Sequence, residues 1–523
     1  MAKYLTKRLL FGLFSIVVVI GIVMVMIYSL MDRNLVFAKD SVWSHQNNNA
    51  KQIYQFQKWE EYGYIDYVTY TDYINGLYAK GEIDEATKDE IITIGNNAAK
   101  DNAAQKPYIQ QFIEYYESQG YETQRYDAVM LKNKYADGGR PYLVAYKDVP
   151  LFTRLWNYFS SIFRVDDINY ASGDVGERGI TFTLYDPVYG GEKFSPAIIG
   201  NGTQHKYLLY MNSTFPYIHQ NIVSINLGKS YSVNKGIDVF DTMTATQGSY
   251  VKSTMVYPTG LVDERADDLH TATYLEGSLK ASEANLSRFT DDYTNVKTTK
   301  NGLSKMGYSF VIGIIATLGA YFIGIPVGIL MARKKDKLVD KIGTVYIMFV
   351  IAVPSLAYIF LFKAIGGKLF NLPTTFNMEN PTWLMYILPV ISLALPSIAN
   401  LMKWMRRYMI DQLNSDYVKF ARSGGLTESE IFVKHIMKNA AIPIVHGIPA
   451  SVLGALTGAI ITERVYVIPG AGNLLTTAIN AYDNGAIVGV TLFYATLSVV
   501  SIILGDILMS MVDPRISFSN KSR

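Results

Sequence analysis

Few side chains in this 523-residue chain stand in a pattern that supports bond chemistry. The six histidines (His45, His205, His219, His270, His435 and His446) are scattered, with no pair at metal-ligand spacing on a shared helix. They read as surface or packing residues, and no metal site is expected. Cysteine is absent, which removes thiol catalysis, disulfides and cysteine-held metal centres. No G-x-x-x-x-G-K-[ST] phosphate loop occurs, so the chain does not bind and hydrolyse ATP by that route. H-E-x-x-H and G-x-S-x-G are missing too. The many acidic residues between Met31 and Gly307 carry no motif that separates a glycosidase pair from solvated surface.

The stretch with the most organised chemistry is instead non-catalytic: "DYVKFARSGGLTESEIFVKHIMKNAAIP", Asp416 to Pro443. Its first half reads as a helix opening at Ser415/Asp416, whose side chains can accept backbone N–H groups and whose acidic charge suits the positive helix end. Arg422 falls in the last turn, where a cation is favoured, and Gly424 or Gly425 can take the left-handed C-terminal position. The second half opens with Thr427-Glu428-Ser429-Glu430, a capping box. It then places Phe432, Val433, Ile436, Met437 and Ala440 on one face and Lys434, His435 and Lys438 on the other. Such a piece serves equally as a surface-lying connection or as a rigid dock for a partner.

The elements that position this stretch are apolar. Hydrophobic residues make up 49% of the chain and charged ones 18%, with a net charge of +3. The basic residues cluster beside apolar segments rather than in one stripe, which argues against a nucleic-acid partner. Leu9–Leu30 is long enough to span a bilayer, and it is longer than a cleaved signal sequence requires. Further spans are expected over Tyr308–Ala332, Ile342–Phe362, Trp383–Met402, Ala440–Thr462 and Ile487–Val512. Their prolines (Pro326, Pro354, Pro389, Pro396, Pro443 and Pro449) are tolerable where neighbouring helices satisfy the freed backbone groups. Arg333, Lys334, Lys335, Lys337 and Lys341 follow the second span, and Lys403, Arg406, Arg407, Lys419, Arg422, Lys434 and Lys438 follow the fourth. By the positive-inside rule both loops and both termini are cytoplasmic.

Residues 31–307 then lie outside and are too long for a connection, so a folded α+β domain is expected there. "GEIDEATKDEIITIGNNAAKDNAAQ" reads as a helix, and "GITFTLYDPVYGG", "HKYLLYMNS" and "GSYVKSTMVYPTG" as strands between turns. Tyr62, Tyr64, Tyr67, Tyr70 and Tyr73 suit either strand packing, the favoured reading, or a peptide-binding or receptor-docking surface.

These residues resemble the B-type (OppB family) permease subunits of oligopeptide ABC importers. That family's cytoplasmic loop reads D-Y-[VI]-x-x-A-R-x-x-G-L, then a basic stretch, then N-A-x-x-P. Here Asp416-Tyr417-Val418, Ala421-Arg422, Gly425-Leu426, Asn439-Ala440 and Pro443 fill those positions. "IGIPVGILMA", "AVPSLAYIF", "LPVISLALP", "ERVYVIPGAGNLL" and "LGDILMSMVDPR" follow in the family's order, and the N-terminal "YLTKRLLFGLFSIVVVI" agrees. The general importer motif has Glu-Ala-Ala where this chain has Phe420-Ala421-Arg422, which matches the peptide branch. The enlarged first external region, ending near "FPYIHQNIVSINLGKSYS", resembles the Gram-positive, AmiC-like type.

The resemblance implies a six-helix type I ABC importer permease, in the plasma membrane of a Gram-positive bacterium. It divides the chain into an N-terminus with helix 1 (1–30), an extracellular domain (31–307), a permease core (308–512) with a coupling loop (403–439), and a cytoplasmic tail (513–523). It implies no enzyme activity and no cofactor in this chain; ATP and Mg belong to partner ATPases. The implied partners are a second permease (OppC- or AmiD-like), two ATPases (OppD/OppF or AmiE/AmiF-like), a lipid-anchored oligopeptide-binding protein (OppA- or AmiA-like) and the peptide itself. Asp416, Tyr417, Ala421, Arg422, Gly424, Gly425 and Leu426 would contact the ATPase, with Arg422 either pairing with its carboxylate or complementing its own helix. Asp506, Glu463 and Pro354 are the candidates for the translocation path or an interface; for Asp506 packing or hydrogen bonding is favoured, and for Glu463 tight packing at the outer mouth. A mechanotransmission-type ABC permease and a surface receptor are the alternatives; the former typically has four spans.

Overall fold

The computed structural model describes residues 2–512 apart from 47, 96–97, 127–142, 172–174, 187, 189–190, 212–217, 275–285, 291–293 and 379–380. The expected tail, 513–523, lies outside the described residues, as do the first residues of "FPYIHQ". Helix α1 (Ala2–Leu30) opens the chain. Between it and the next long helix lies an inserted body whose described residues form seven α-helices: α2 (Ser41–Ser44), α3 (Asn48–Glu61), α4 (Tyr70–Ala79), α5 (Glu85–Ile91), α6 (Gln105–Ser118), α7 (Leu151–Ser161) and α8 (Val239–Thr244). A helical core follows: α9 (Lys305–Arg333), α10 (Leu338–Ala352), α11 (Ser355–Leu369), α12 (Ile387–Leu413), α13 (Asp416–Ser423), α14 (Glu428–Glu430), α15 (Lys438–His446), α16 (Ile448–Tyr466), α17 (Ala471–Asn480) and α18 (Asn484–Val512).

Five described segments are long and apolar enough to cross a bilayer: Tyr4–Leu30, Lys305–Arg333, Trp383–Leu413, Ile448–Tyr466 and Asn484–Val512. The third span is not the single helix expected over Ile342–Phe362. It breaks between α10 and α11, which meet at 110°. Val353 is extended and Pro354 follows it, so the residue before proline leaves the helical region and the ladder stops. The fifth span is divided as well, into α15 and α16 at Gly447, rather than running unbroken from Ala440 to Thr462. Pro326 and Pro396, by contrast, sit inside continuous helices.

"IGIPVGILMA" has a packing reason. A Cβ on Gly324 would lie 2.9 Å from Leu401 Cβ, and one on Gly328 2.9 Å from Met405 Cβ. Small residues one turn apart thus let α9 and α12 touch along their backbones, which is how helices associate tightly in lipid. Asp340 on α10 is locked to Arg406 on α12 by paired bonds of 2.5 and 2.8 Å.

Among the described residues the inserted body holds thirteen strands: β1 (Ile65–Thr69), β2 (Glu122–Arg125), β3 (Leu143–Asp148), β4 (Phe163–Val165), β5 (Gly179–Thr183), β6 (Ala197–Asn201), β7 (Tyr207–Met211), β8 (Ile218–Gln220), β9 (Val223–Ile225), β10 (Ser253–Val256), β11 (Val262–Arg265), β12 (Asp267–Tyr274) and β13 (Thr294–Thr298). They pair as β1-β3-β2, β5-β6-β7-β8 and three two-stranded ribbons, β4-β9, β10-β11 and β12-β13, with antiparallel pairing throughout. The three strand stretches read from the sequence contain β5, β7 and β10. The expected helix over 81–105 shrinks to α5, which Asp84 caps by accepting the Thr87 N–H at 2.9 Å. Tyr62, Tyr64, Tyr67 and Tyr70 are buried, and Tyr73 lies against Phe112. The tyrosine run is core.

A buried ion pair ties β12 to the loop after β5: His270 Nε2 lies 2.7 Å from Asp186, with the Tyr210 ring stacked 4.4 Å away. Burial pushes the imidazole down, but hydrogen bonds and negative charge from Asp186 and Asp268 outweigh it and raise it to about 9. A raised histidine stabilises fully below its unfolded value, about 6.5, and loses that contribution as pH climbs through the folded value. The inserted body should therefore lose thermal stability between about pH 6.5 and about pH 9, and His270→Gln should flatten that dependence. Unfolding followed across this range checks it; an unchanged pH profile in the variant would refute the charged pair.

Candidate functional site

The Asp416–Pro443 stretch folds as a pinned hairpin. Ser415 has the extended backbone of a cap, but its hydroxyl bonds back to the Gln412 carbonyl at 2.6 Å, and no side chain caps α13. Asp416 bonds Lys419 instead, so the expected N-terminal cap is not made. The C-terminal expectation is met: Gly425 has φ +82°, and the Leu426 N–H reaches the Ala421 carbonyl at 3.2 Å. Only glycine occupies that conformation without steric cost. The Thr427–Glu430 capping box is present.

Beyond it, Ile431–Met437 is a π-helical turn. Its wider i→i+5 spacing breaks the expected face: Val433 is exposed, while Ile431, Ile436 and Ala440 are buried. Val418 and Ala421 of α13 pack into one cluster with these residues and with Ala320, Leu401, Met405 and Met409. Arg422 has a partner in its own chain: it grips Glu428 at 2.7 and 3.1 Å across the Gly-Gly turn. Neither reading made from sequence anticipated that clasp. Tyr417 donates to Gln412 at 2.6 Å. The free side of α13 carries Asp416, Lys419, Ser423 and Phe420, whose ring is 79% exposed.

Between α9, α11, α12 and α16 lies a cavity of about 680 Å³, lined among others by Tyr321, Tyr358, Ser392, Asn400, Ser451 and Thr462. Among the described residues that line it, none is charged. Tyr321 and Ser451 hydrogen-bond at 3.0 Å, as do Ser392 and Tyr466. Polar side chains inside otherwise apolar spans are the signal that would have found this cavity from sequence.

The three path candidates are not among its lining residues. Pro354 caps α11 at the bend of the third span. Glu463 is fully buried, accepting from Ser309 Oγ at 2.6 Å and the Asn473 N–H at 2.8 Å at the start of α17. Asp506 is held by Tyr4 at 2.9 Å and Arg8 at 3.2 Å, joining the last span to the first. Among the described residues no cluster of three or more potential metal ligands forms.

One buried carboxylate that joins the inserted body to the helical core went unnoticed in the sequence. Asp483, fully buried, accepts from Ser230 Oγ (2.6 Å), from the N–H groups of Tyr231 (2.8 Å), Ser232 (3.0 Å) and Val233 (2.9 Å), and from Ala486 N–H (3.0 Å). It caps α18 and clamps the inserted body to it at once. Asn484 donates to Tyr64 at 2.8 Å, and a Cβ on Gly485 would sit 1.9 Å from the Lys229 carbonyl oxygen. The Asp-Asn-Gly ahead of an apolar run was the available cue.

Residues 324–518 match the family described as binding-protein-dependent transport system inner membrane component. The oligopeptide transport system permease protein AmiC of Streptococcus pneumoniae is 32% identical over 530 residues, covering all of this chain and 99% of that one. The dipeptide transport permease DppB of Lactococcus lactis is 32% identical over 230 residues, covering 43% of this chain and 73% of the relative. DppB of Bacillus subtilis is 29% identical over 226 residues, 42% and 72% of the two chains. The likeness to AmiC runs through the inserted body as well as the helical core. The chain belongs to the oligopeptide transport permeases, non-catalytic membrane components of ABC importers.

Proposed function

We propose that the chain forms half of the translocation pathway of an ATP-driven oligopeptide importer and couples to its motor through residues 403–439. The second half is a homologous permease, OppC- or AmiD-like. Two ATPases, OppD/OppF- or AmiE/AmiF-like, carry the ATP and Mg, and this chain needs no cofactor of its own. Both ends and the hairpin face the cytoplasm of a Gram-positive cell, and residues 31–307 face outward, where a lipid-anchored peptide-binding protein, OppA- or AmiA-like, docks.

The observation that carries this reading is a shared set of side chains. Ala320 and Leu401 line the cavity, and the same two belong to the cluster that seats Val418 and Ala421 of the hairpin. A pull on α13 therefore reaches the cavity wall through packed atoms rather than a slack loop, and close packing transmits displacement. Asp416, Tyr417, Ala421, Arg422, Gly424, Gly425 and Leu426 build the lever: Ala421 roots it, Gly424 and Gly425 turn it, and the Arg422–Glu428 clasp stiffens it. Uncharged polar groups in the cavity suit a substrate whose constant feature is its amide backbone.

Affinity purification of the tagged chain from its native membrane should bring down a second permease and two ATPases. The chain alone should show no ATP turnover. Recovery without ATPases, or turnover by the isolated chain, would refute this division of labour.

A further inference from the structure

We infer that α7 and the β4–β9 ribbon form a membrane-interface foot: an apolar surface of the inserted body that lies in the headgroup–acyl boundary of the bilayer beside α1. Helix α7 has two apolar flanks. Leu155, Tyr158, Phe159 and, just after it, Ile162 pack against the cluster built from the first and last spans. Phe152 and Trp156, one turn apart, are both exposed. The ribbon extends that outward surface. Its register pairs Phe163 with Ile225 and Val165 with Val223, so these four share one face, and all four are exposed. Arg164 and Ser224 pair on the opposite face, and the cavity beside the end of α1 is bordered by Arg164 and by Val223, Ser224 and Ile225 of β9.

Depth selects lipid as the occupant. Arg154 stacks over Tyr28 at 5.3 Å, and Arg154 and Tyr158 wall the same cavity as Met24 and Tyr28. Met24 lies six residues from the helix end at Leu30, about 9 Å along the axis. Helix α7 is therefore level with the last turns of a membrane span, not above it. The same turns of α1 expose Ile22, Val25, Met26 and Leu30, so the foot continues a surface that already meets hydrocarbon. An aromatic-rich amphipathic element at this depth has the composition of interfacial helices, which bury their apolar face about 5–10 Å into the boundary. The foot would fix the tilt of the body over the membrane.

The chain contains no cysteine, so single nitroxide labels can be placed in it without background from its own residues, the partner subunits being prepared cysteine-free. Trp156→Cys, Phe163→Cys, the span control Ile22→Cys and the water control Glu85→Cys are labelled in the complete transporter. Each is reconstituted in nanodiscs of phosphatidylethanolamine and phosphatidylglycerol. Collision with oxygen relative to a water-soluble nickel chelate should be on the order of tenfold higher at positions 156 and 163 than at 85, approaching that at 22. A ratio at 156 and 163 equal to that at 85 would overturn the proposal. So would shielding from both reagents, which marks a protein partner on the foot. As an unlabelled check, brominated lipid should quench the wild-type tryptophan emission more than that of Trp156→Phe; equal quenching counts against the foot.

Discussion

Phe420→Asp should abolish peptide uptake while leaving the fold and membrane insertion of the chain intact. The two halves of that expectation rest on opposite faces of α13. Val418 and Ala421 are buried and hold the helix to the core, whereas the Phe420 ring is 79% exposed and packs against nothing that keeps α13 in place. Exposed substitutions of this kind shift stability by about 0.5 kcal/mol or less. An aromatic anchor at the centre of a partner interface is worth about 2–4 kcal/mol, and a carboxylate in its place adds the cost of burying an unpaired charge. A loss of 4 kcal/mol is about a thousandfold in affinity, enough to uncouple the motor. Uptake of a labelled peptide, recovery of the ATPases on purification and thermal unfolding are the three measurements. Normal uptake would remove α13 as the docking helix, and a lowered unfolding temperature would show that Phe420 is structural.

The second large effect is expected at Asp483. Replacing it by alanine leaves the N–H groups of Tyr231, Ser232 and Val233 without their acceptor and removes the bond that starts α18. Hydrogen bonds to a charged group contribute about 1.5–3 kcal/mol, and abandoned donors add a desolvation cost, so a total near 3–5 kcal/mol is expected. The cost is local, because Tyr231 also stacks on Tyr62 at 3.8 Å and keeps the segment near its place. Hydrogen exchange should show protection lost first at Tyr231–Val233 and at the start of α18, with the strand pairs unaffected. Unchanged protection at both would mean that the junction is held elsewhere. Asp483→Asn, which keeps the shape and one acceptor oxygen, should fall between the two.

Much of this molecule is written locally in its sequence. Long apolar runs gave the spans, Thr427 and Glu430 a capping box, and Gly425 a left-handed turn, because each depends on neighbours within a few residues. The break at Pro354 was not legible, since Pro326 and Pro396 have the same chemistry and lie within continuous helices. What differs is the backbone, which is extended at Val353 and helical through the other two. The π turn at Ile431–Met437 similarly reassigned Val433 from the buried face to solvent, against a regular helical period. The Arg422–Glu428 clasp required knowing that the chain reverses at Gly424–Gly425 so that two charged side chains converge. Asp483 was the least visible, since its partners precede it by about 250 residues.

That last separation has a consequence for how the protein is made. Ser230 and Asp483 are 253 residues apart. At about 5–20 residues per second of synthesis, Ser230 waits roughly 10–50 s before its partner Asp483 exists. Helix α1 waits longer, since Asp506, which binds Tyr4 and Arg8, is made later still. Helix α1 and the body that follows it are both tied down by α18 and the residue that caps it, so they become one unit only after α18 has been made.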